Sequence, residues 1–471
     1  MGIVKNLKLR QPKTARIDFG RFYGIDRRID GDVGGYNKAS FSYNFSFKDG
    51  ALKNGLGIAS LNSSYKAPLG EVMEKIYFYR RSDYEKGTRD DRIIALSTKG
   101  NMYSCPLSGG TFTKISGLYF NNQPIGVCYN YNGKDVIIFS AEGEGIKIYD
   151  GESVETVYDA PPVTSMCIHS ERLFITSGGV DGALWFSDDF NPTNWNVSLS
   201  EAGFIDMSDD MGDMIGVVEF GGHLYVFRSY GISRVTAYSD QTEFSVSNVS
   251  VACGKILKNS VVVCGDYITF FATDGLYKFD GYSVTRISDQ WFDVVETPEK
   301  LVKGVYFNGD VYYLLQLIDD SGEYHSAILK IDVDTNDYYF IVIAVTSDIC
   351  VVSAEDEYKL LTVDMMNFRL AEIVPDKGWD GDNVKMFWRS KESDFGIKSS
   401  RKRLSKVSFF TKTDCELTVT VDGKPHSYSV TASGNRTTVR PYLKGEKFTF
   451  EITVKDVVAE ISGFTLEFIY Y

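Results

Sequence analysis

Apolar and polar residues alternate with a period of two along most of this chain, and few stretches show the 3.6-residue period of a helix. Short runs rich in Val, Ile, Tyr and Phe are separated by Gly, Asn and Asp, a pattern that predicts strands joined by hairpins. The best helix signal covers residues 290–303, where Thr297-Pro298-Glu299 indicates a helix start. The pattern as a whole predicts an all-β protein.

The strand runs recur along the chain. Similar runs begin near residues 94, 136, 172, 223, 267 and 311, at intervals of 36 to 51 residues, and a further run begins at Asp348. A period of roughly 40–50 residues with about four strands is typical of β-propeller blades. We therefore predict a β-propeller of six or seven blades. An array of β-sandwiches, which also uses short strands, is the alternative.

The repeat has a recognisable internal copy. Residues 143–151 parallel residues 274–281, and residues 230–235 form a looser third copy. Each copy places glycine at a turn and then alternates apolar and polar residues. Glycine permits the positive φ that tight hairpins require, so these segments predict equivalent turns in different blades.

The repeat stops near residues 387–399. Beyond it, short alternating runs predict a small C-terminal β-sandwich. These runs cover Leu404–Thr411, Cys415–Val421, His426–Thr431, Arg436–Arg440, Lys447–Val454 and Ile461–Tyr470. The predicted division is an N-terminal arm with first strands joining the propeller (1–65), the propeller (66–390) and the sandwich (395–471).

Composition and charge narrow the function. The chain has 471 residues and 14% aromatic residues, too many for a disordered protein, and its net charge of −13 argues against a general nucleic-acid binder. Residues 1–30 nevertheless carry a net charge of +5, which leaves −18 on the rest. We predict that this basic arm contacts a neighbouring subunit, a solvated terminus being the alternative. The candidate contact residues are Lys5, Lys8, Arg10, Lys13, Arg16 and Arg21.

The seven cysteines are scattered and form no Cys-x-x-Cys pair. Without an export signal, they are expected to be buried free thiols in a reducing compartment. No stretch approaches eighteen uninterrupted apolar residues, so no membrane span is expected.

Motifs for metals and cofactors fail in detail. The four histidines are far apart in the sequence. The segment Asp332-x-Asp334-x-Asn336 begins like a calcium loop but has Asp337 where glycine is needed and Ile343 where glutamate is needed. A hairpin turn explains it better. We predict no metal, no cofactor and no catalytic residues.

The densest acidic patch consists of Asp206, Asp209, Asp210 and Asp213. An exposed loop is its simplest interpretation. A cation site, a contact with a basic partner or a pair of glycosidase carboxylates are the alternatives. Residues 177–185 lack the serine and aspartate of the turn that propeller sialidases carry before a tryptophan, which weakens an enzymatic interpretation.

The order of several N-terminal fragments resembles a known group of proteins. Residues 22–26, 39–47 and 48–57, the last reading Lys-Asp-Gly-Ala-Leu-Lys-Asn-Gly-Leu-Gly, look like the opening of bacteriophage tail and head-to-tail propeller proteins. The turn at 184–195 and the run at 224–232 are similar to later segments of those proteins. The likeness covers about residues 15–290 as ordered fragments.

The resemblance implies a structural virion protein, located in the tail and assembled in the host cytoplasm. It would form a ring of its own copies, six being usual for a tail nozzle, that retains or passes phage DNA without sequence-specific binding. Portal, adaptor or other tail proteins would be its partners. One alternative is a tail-tip module that binds host-surface polysaccharide, with Trp379, Trp388 and the C-terminal tyrosines as stacking candidates. A propeller glycosidase is the other alternative.

Overall fold

The computed structural model describes residues 11–470 except for short gaps at residues 34, 69, 178–181, 239, 250–252, 298–301, 343–345, 355–356, 365–368, 376–377, 380 and 399–400. Within the described residues the protein is all-β, with many small sheets, four short 3₁₀ turns and no α-helix. Two compact units are present. We call Met1–Ala59, Tyr338–Val342 and Val374–Tyr471 the terminal unit, and Ser60–Asp337 with Ile343–Ile373 the repeat unit.

The helix expected over residues 290–303 does not form where the structure describes this segment. Phe292–Val294 is a 3₁₀ turn and Val295–Glu296 is a short strand. Trp291 and Val294 are buried at this point, so tertiary packing holds the part of the segment before residue 298 in a non-helical conformation. Residues 298–301, which include the proline of that signal, lie outside the described residues.

In the described part of the repeat unit there are seven antiparallel sheets, numbered here in chain order. Sheet 1 consists of Met73–Tyr79, Arg92–Ser97, Asn101–Pro106 and Thr113–Tyr119, and sheet 2 of Ile125–Tyr131, Lys134–Ser140, Ile146–Tyr149 and Val154–Val157, with the short strands Ser82–Asp83 and Thr88–Arg89. Sheet 3 consists of Ser165–His169, Arg172–Thr176, Ala183–Phe186 and Gly203–Asp206, and sheet 4 of Met214–Phe220, His223–Arg228, Gly231–Thr236 and Ser245–Val249. Sheet 5 consists of Val262–Cys264, Tyr267–Ala272, Gly275–Phe279 and Val284–Arg286.

Sheets 6 and 7 complete the series. Sheet 6 includes Val295–Glu296, Lys303–Phe307, Asp310–Ile318 and Tyr324–Asp332, and sheet 7 includes Thr346–Ala354, Glu357–Asp364 and Arg369–Pro375. A small parallel pair, Tyr65–Lys66 with Gly110–Thr111, accompanies sheet 1. The strands Leu56–Ser60 and Tyr338–Val342 lie where the chain passes between the two units.

The period of two explains how these sheets stack. Along Lys134–Ser140, Ile137 and Phe139 pack into an apolar cluster shared with sheet 1. Their neighbours Val136 and Ile138 pack into a different cluster shared with sheet 3. Since successive side chains of a strand point to opposite faces, a strand that is apolar at every position is buried on both faces.

The last sheet packs against the first. Val352 and Leu361 of sheet 7 share an apolar cluster with Ile76 and Ile93 of sheet 1. The carboxylate of Asp348 in sheet 7 accepts a 2.8 Å hydrogen bond from the amide of Ile76 and lies 2.5 Å from Nζ of Lys303 in sheet 6. The sheets therefore form a closed series, which is consistent with the predicted β-propeller.

The predicted internal copy is present in the structure. Asp150 accepts hydrogen bonds from the amides of Glu152 and Ser153 at 2.8 and 2.6 Å. Asp280 accepts the equivalent bonds from Tyr282 and Ser283 at 2.9 and 2.7 Å. The intervening glycines have φ values of 94° and 93°. The same aspartate-capped turn thus ends the third strand of sheets 2 and 5.

The terminal unit contains two sheets built from both ends of the chain. One sheet consists of Lys13–Asp18, Phe45–Ser46, Leu52–Asn54, Lys402–Thr411, Arg436–Val439, Leu443–Gly445 and Glu460–Tyr470. The other consists of Tyr23–Ile25, Lys38–Tyr43, Val384–Ser390, Cys415–Val421, Lys424–Val430 and Phe448–Asp456.

Aromatic side chains fill the space between these two sheets. The rings of Phe450 and Phe464, one from each sheet, lie 5.8 Å apart, and those of Phe448 and Phe468 lie 5.1 Å apart. Trp388 is fully buried beside them and donates from Nε1 to the carbonyl of Tyr23 at 3.2 Å. Edge-to-face contacts of this kind add to the free energy gained by burying the rings.

The observed division differs from the predicted one at both ends. Residues 13–18 pair in register with residues 465–470, so the N-terminal strands belong to the terminal unit rather than to the repeat unit. The expected C-terminal strands are present, and Cys415–Val421 has the expected bounds. The sequence pattern shows which residues form strands, whereas a pairing between the two ends of the chain leaves no periodic signal.

Asp348 supplies a test of the closure. Changing it to alanine leaves the half-buried ammonium of Lys303 and the amide of Ile76 without this acceptor, and we expect the free energy of unfolding to fall by about 3–5 kcal/mol. Urea denaturation measures this change. In the control Asp289→Ala, the lost partner is Arg286 in an exposed ion pair of sheet 5, and about 1 kcal/mol or less is expected. Equal losses in the two variants would show that Asp348 has no special part in closure.

Candidate functional site

The predicted acidic patch lies on the loop between the last strand of sheet 3 and the first strand of sheet 4. All four of its aspartates are exposed. Asp206 accepts from the amide of Ser208 at 2.9 Å, and this bond, with one from the Ser208 hydroxyl, holds the pKa of Asp206 below its usual value. The carboxylate of Asp206 therefore stabilises the conformation of its own loop.

Asp209 has a different partner. It lies 3.0 Å from the guanidinium of Arg228, whose side chain is only 3% exposed. Nε of Arg228 donates to the carbonyl of Gly212 at 2.9 Å, so the loop covers a buried cation. Since removing the partner of a buried charge is costly, Asp209 has a structural role in this loop.

The basic arm is described only in part. Lys5, Lys8 and Arg10 lie outside the described residues. Lys13, Arg16 and Arg21 are exposed, and Arg16 lies 3.4 Å from Asp18.

The strand that carries Lys13 and Arg16 is an edge strand. Within the described part of the chain, Lys13–Asp18 pairs with Glu460–Tyr470 on one side and with no strand on the other. An edge strand presents amides and carbonyls that can pair with another chain.

The sequence analysis missed a cluster of charged side chains in the repeat unit. This charged cluster consists of Glu74, Lys75, Lys258, Lys303 and Asp348. Its members come from sheets 1, 6 and 7 and from the segment leading into sheet 5, far apart in sequence. The only local sign is a charged pair, Glu74-Lys75, inside the otherwise apolar strand Met73–Tyr79.

Lys75 is the most perturbed member of the charged cluster. Its Nζ donates to the carbonyl of Pro124 at 3.1 Å. Burial, followed by repulsion from Lys303, lowers the pKa of Lys75 to about 8, although Asp348 and Glu74 act in the opposite direction. Desolvation disfavours the charged form of a lysine, so the pKa of this side chain falls to about 8, well below its ordinary value.

An ion pair links two sheets that are not neighbours in the series. Glu142, from a turn of sheet 2, lies 3.2 Å from Nζ of Lys258, which precedes sheet 5. Sheets 3 and 4 lie between these positions in one direction around the series, and sheets 6, 7 and 1 in the other. The pair is exposed to solvent.

One group of potential metal ligands was also missed. Ligand atoms of Asp319, Glu323 and His325 lie within 4.8 Å of one another on the hairpin between the last two strands of sheet 6. Asp319 already accepts from the amides of Ser321 and Glu323 at 2.8 and 3.0 Å, and these turn bonds account for its position. The calcium-like segment at Asp332 is a turn, as expected, in which Asp332 accepts from the amides of Asp334 and Thr335.

The stacking tryptophans and the cysteines also have defined places. Of the two tryptophans named as stacking candidates for the polysaccharide-binding alternative, Trp388 is fully buried and so cannot stack on a sugar, and Trp379 is half-buried. All seven cysteines are free thiols and are buried or half-buried. Burial raises the pKa of Cys167 to about 12 and that of Cys350 to about 11, which leaves these two thiols protonated at neutral pH.

Comparison with known proteins gives no family. No protein-family model matches this chain, and no curated protein matches it. Among solved structures, BBS1N in complex with ARL6DN, soaked with lead, is 9% identical, with a TM-score of 0.43 over 64% of this chain and 92% of that one. The mercury-soaked crystal of the same complex is 10% identical, with a TM-score of 0.41 over 64% of this chain and 92% of that one.

A second protein gives a weaker match. Apo AztD from Citrobacter koseri is 11% identical, with a TM-score of 0.35 over 56% of this chain and 86% of that one. Separately, none of the helices in the described residues is long and apolar enough to cross a membrane.

Lys75 gives a prediction about pH. Between about pH 8 and its ordinary pKa of 10.5, the unfolded chain keeps a proton that folded Lys75 has released. The free energy of unfolding therefore rises with pH across that window. Lys75 contributes at most about 1.4 kcal/mol per pH unit to this rise. Urea denaturation from pH 7 to 10 should show that the free energy of unfolding of the wild type, relative to that of Lys75→Met, rises as the pH rises. The control is Lys147→Met, which removes a lysine from the exposed side of sheet 2. Parallel curves for wild type and Lys75→Met would contradict the assignment.

Proposed function

We propose that this protein is a structural component of a bacteriophage tail or head-to-tail connector, which forms a ring of its own copies. The ordered N-terminal fragments support the phage assignment. The observation that carries the mechanical part is the pairing of residues 13–18 with residues 465–470, because it holds both described ends of the chain in one sheet. A chain clasped in this way resists being pulled open from either end.

The finer architecture belongs to the same proposal. The seven sheets of the repeat unit are seven blades of a β-propeller, with sheet 7 seated on sheet 1 by the apolar cluster around Ile76 and Val352. The two sheets of the terminal unit form a β-sandwich assembled from both ends of the chain.

Charge and edge pairing favour contact between copies. The edge strand Lys13–Asp18 offers unpaired backbone groups, while Lys13 and Arg16 offer positive charge to a body that carries −18 beyond residue 30. Opposite charges on two contacting surfaces favour one orientation of the two copies relative to each other. Six copies would form the ring, with portal or adaptor proteins above or below it.

DNA would pass through the opening between copies. A net negative protein would repel phosphates and let DNA slide rather than bind.

Mass photometry with cryo-EM class averages tests the ring. We expect closed rings for the wild type and mostly single copies for Lys13→Glu/Arg16→Glu, because the reversed charges repel the acidic body. Both positions are exposed and the lost Arg16–Asp18 pair is a surface pair worth about 1 kcal/mol or less, so the melting temperature should fall only slightly. The matched control Lys424→Glu/Lys444→Glu reverses two exposed lysines elsewhere in the terminal unit and should leave the rings intact. A wild type that stays single at every concentration would refute the ring.

A further inference from the structure

A cleft in the repeat unit is not used by the proposed assembly. It has a volume of about 460 Å³, within the range of small-molecule sites, and opens where the first strands of sheets 1, 2 and 3 end. Its lining combines aromatic, charged and amide side chains. The main ones are Arg80, Tyr84, Tyr129, Asn130, Asp135, Glu171 and Phe190.

Two aromatic rings stand exposed at this cleft. Tyr84 is 60% exposed and Phe190 is 62% exposed, whereas Tyr129 is buried. Phe190 also has a φ of 54°, a conformation that a side chain other than glycine or asparagine rarely adopts. Because the ring of Phe190 is mostly exposed, the free energy gained by burying it is small and does not offset the backbone strain of the positive φ. Strained residues of this kind concentrate at functional sites.

Hydrogen bonds hold these aromatic residues in place. The carbonyl of Glu171 accepts from the Tyr129 hydroxyl at 2.5 Å and from the amide of Phe190 at 3.2 Å. The carboxylate of Asp135, in a residue only 9% exposed, accepts from Nδ2 of Asn130 at 3.1 Å and from the Tyr84 hydroxyl at 3.3 Å. The cleft is thus organised before any ligand arrives, which reduces the entropy lost on binding.

The polar groups restrict the chemistry of the ligand. The carboxylates of Asp135 and Glu171 outnumber the single guanidinium of Arg80, so an anion such as a phosphate is repelled. Arg80 in turn disfavours a cation between the rings. A neutral polyol avoids both conflicts, because its hydroxyl groups both donate to carboxylates and accept from guanidinium and amide groups.

We propose that this cleft binds a neutral hexose unit of a glycan, with the apolar face of the sugar against Tyr84 and Phe190. The hydroxyl groups of the sugar would bond to Arg80, Asn130 and Glu171. This inference does not rest on the proposed ring, because the cleft lies within a single copy and its residues are separate from the basic edge strand.

The experiment uses the full chain. Fluorescently labelled protein is applied to an array of neutral and sialylated glycans, and the best neutral ligand is then titrated by saturation-transfer NMR, with choline and sialyllactose as charged probes. We expect a neutral glycan with a Kd of about 0.1–1 mM. Tyr84→Ala and Phe190→Ala should each weaken binding by roughly tenfold or more.

Two further variants separate binding from folding. Phe190→Gly removes the ring and relieves the positive φ, so we expect lost binding with an unchanged or raised melting temperature. Tyr282→Ala removes an 81% exposed tyrosine from sheet 5 and should bind as the wild type does. The proposal is overturned if no neutral glycan binds, if the cleft variants bind as well as Tyr282→Ala, or if choline or sialyllactose binds in place of the neutral sugars.

Discussion

The repeat unit depends on the contact between its last sheet and its first. Each sheet is apolar on both faces, as the alternating clusters around Ile137 and Ile138 show, so an open series would leave two apolar faces in water. Packing sheet 7 on sheet 1 removes both faces at once. Asp348 adds direction to this contact, because its buried carboxylate is satisfied only when sheets 1, 6 and 7 are all in place.

The terminal unit likewise depends on contacts between segments that are far apart in the sequence. Its two sheets need strands from residues 13–54 as well as from residues 384–470, so neither end supplies a complete core alone. The aromatic contacts among Phe448, Phe450, Phe464 and Phe468 join strands that are close in sequence, whereas Trp388 binds the carbonyl of Tyr23 from the other end. The two complete sheets of the unit can therefore form only when both segments are present.

The sequence was informative where structure is local. The strand Cys415–Val421 and the paired turns at Asp150 and Asp280 could be predicted because alternation and glycine turns act over a few residues. The pairing of residues 13–18 with 465–470 could not, since nothing in either segment specifies its partner. The helix expected from residue 290 onward does not form at Phe292–Val294, beside the buried Trp291, where tertiary packing decides the backbone conformation.

The candidate sites were harder to predict than the strands. The charged cluster draws Lys75, Lys303 and Asp348 from three sheets, and each alone resembles an ordinary polar residue of a strand. The cleft likewise combines Tyr84 and Phe190 from two separate turns with Asp135 from the strand Lys134–Ser140. What the sequence shows plainly, an acidic loop at Asp209, proved to cover the buried Arg228. A cluster of like residues in the sequence can therefore have a purely structural role. A site with several kinds of side chain forms only when the fold brings distant segments together.

Hydrogen exchange under increasing urea tests the closure most directly. If the seven sheets form one closed series, the slowest amides of Met73–Tyr79 and Thr346–Ala354 should exchange with the same free energy and urea dependence as those of His223–Arg228 in sheet 4. Exchange of Thr346–Ala354 at a much lower free energy, while sheet 4 stays protected, would show that the last sheet opens independently and would contradict the account.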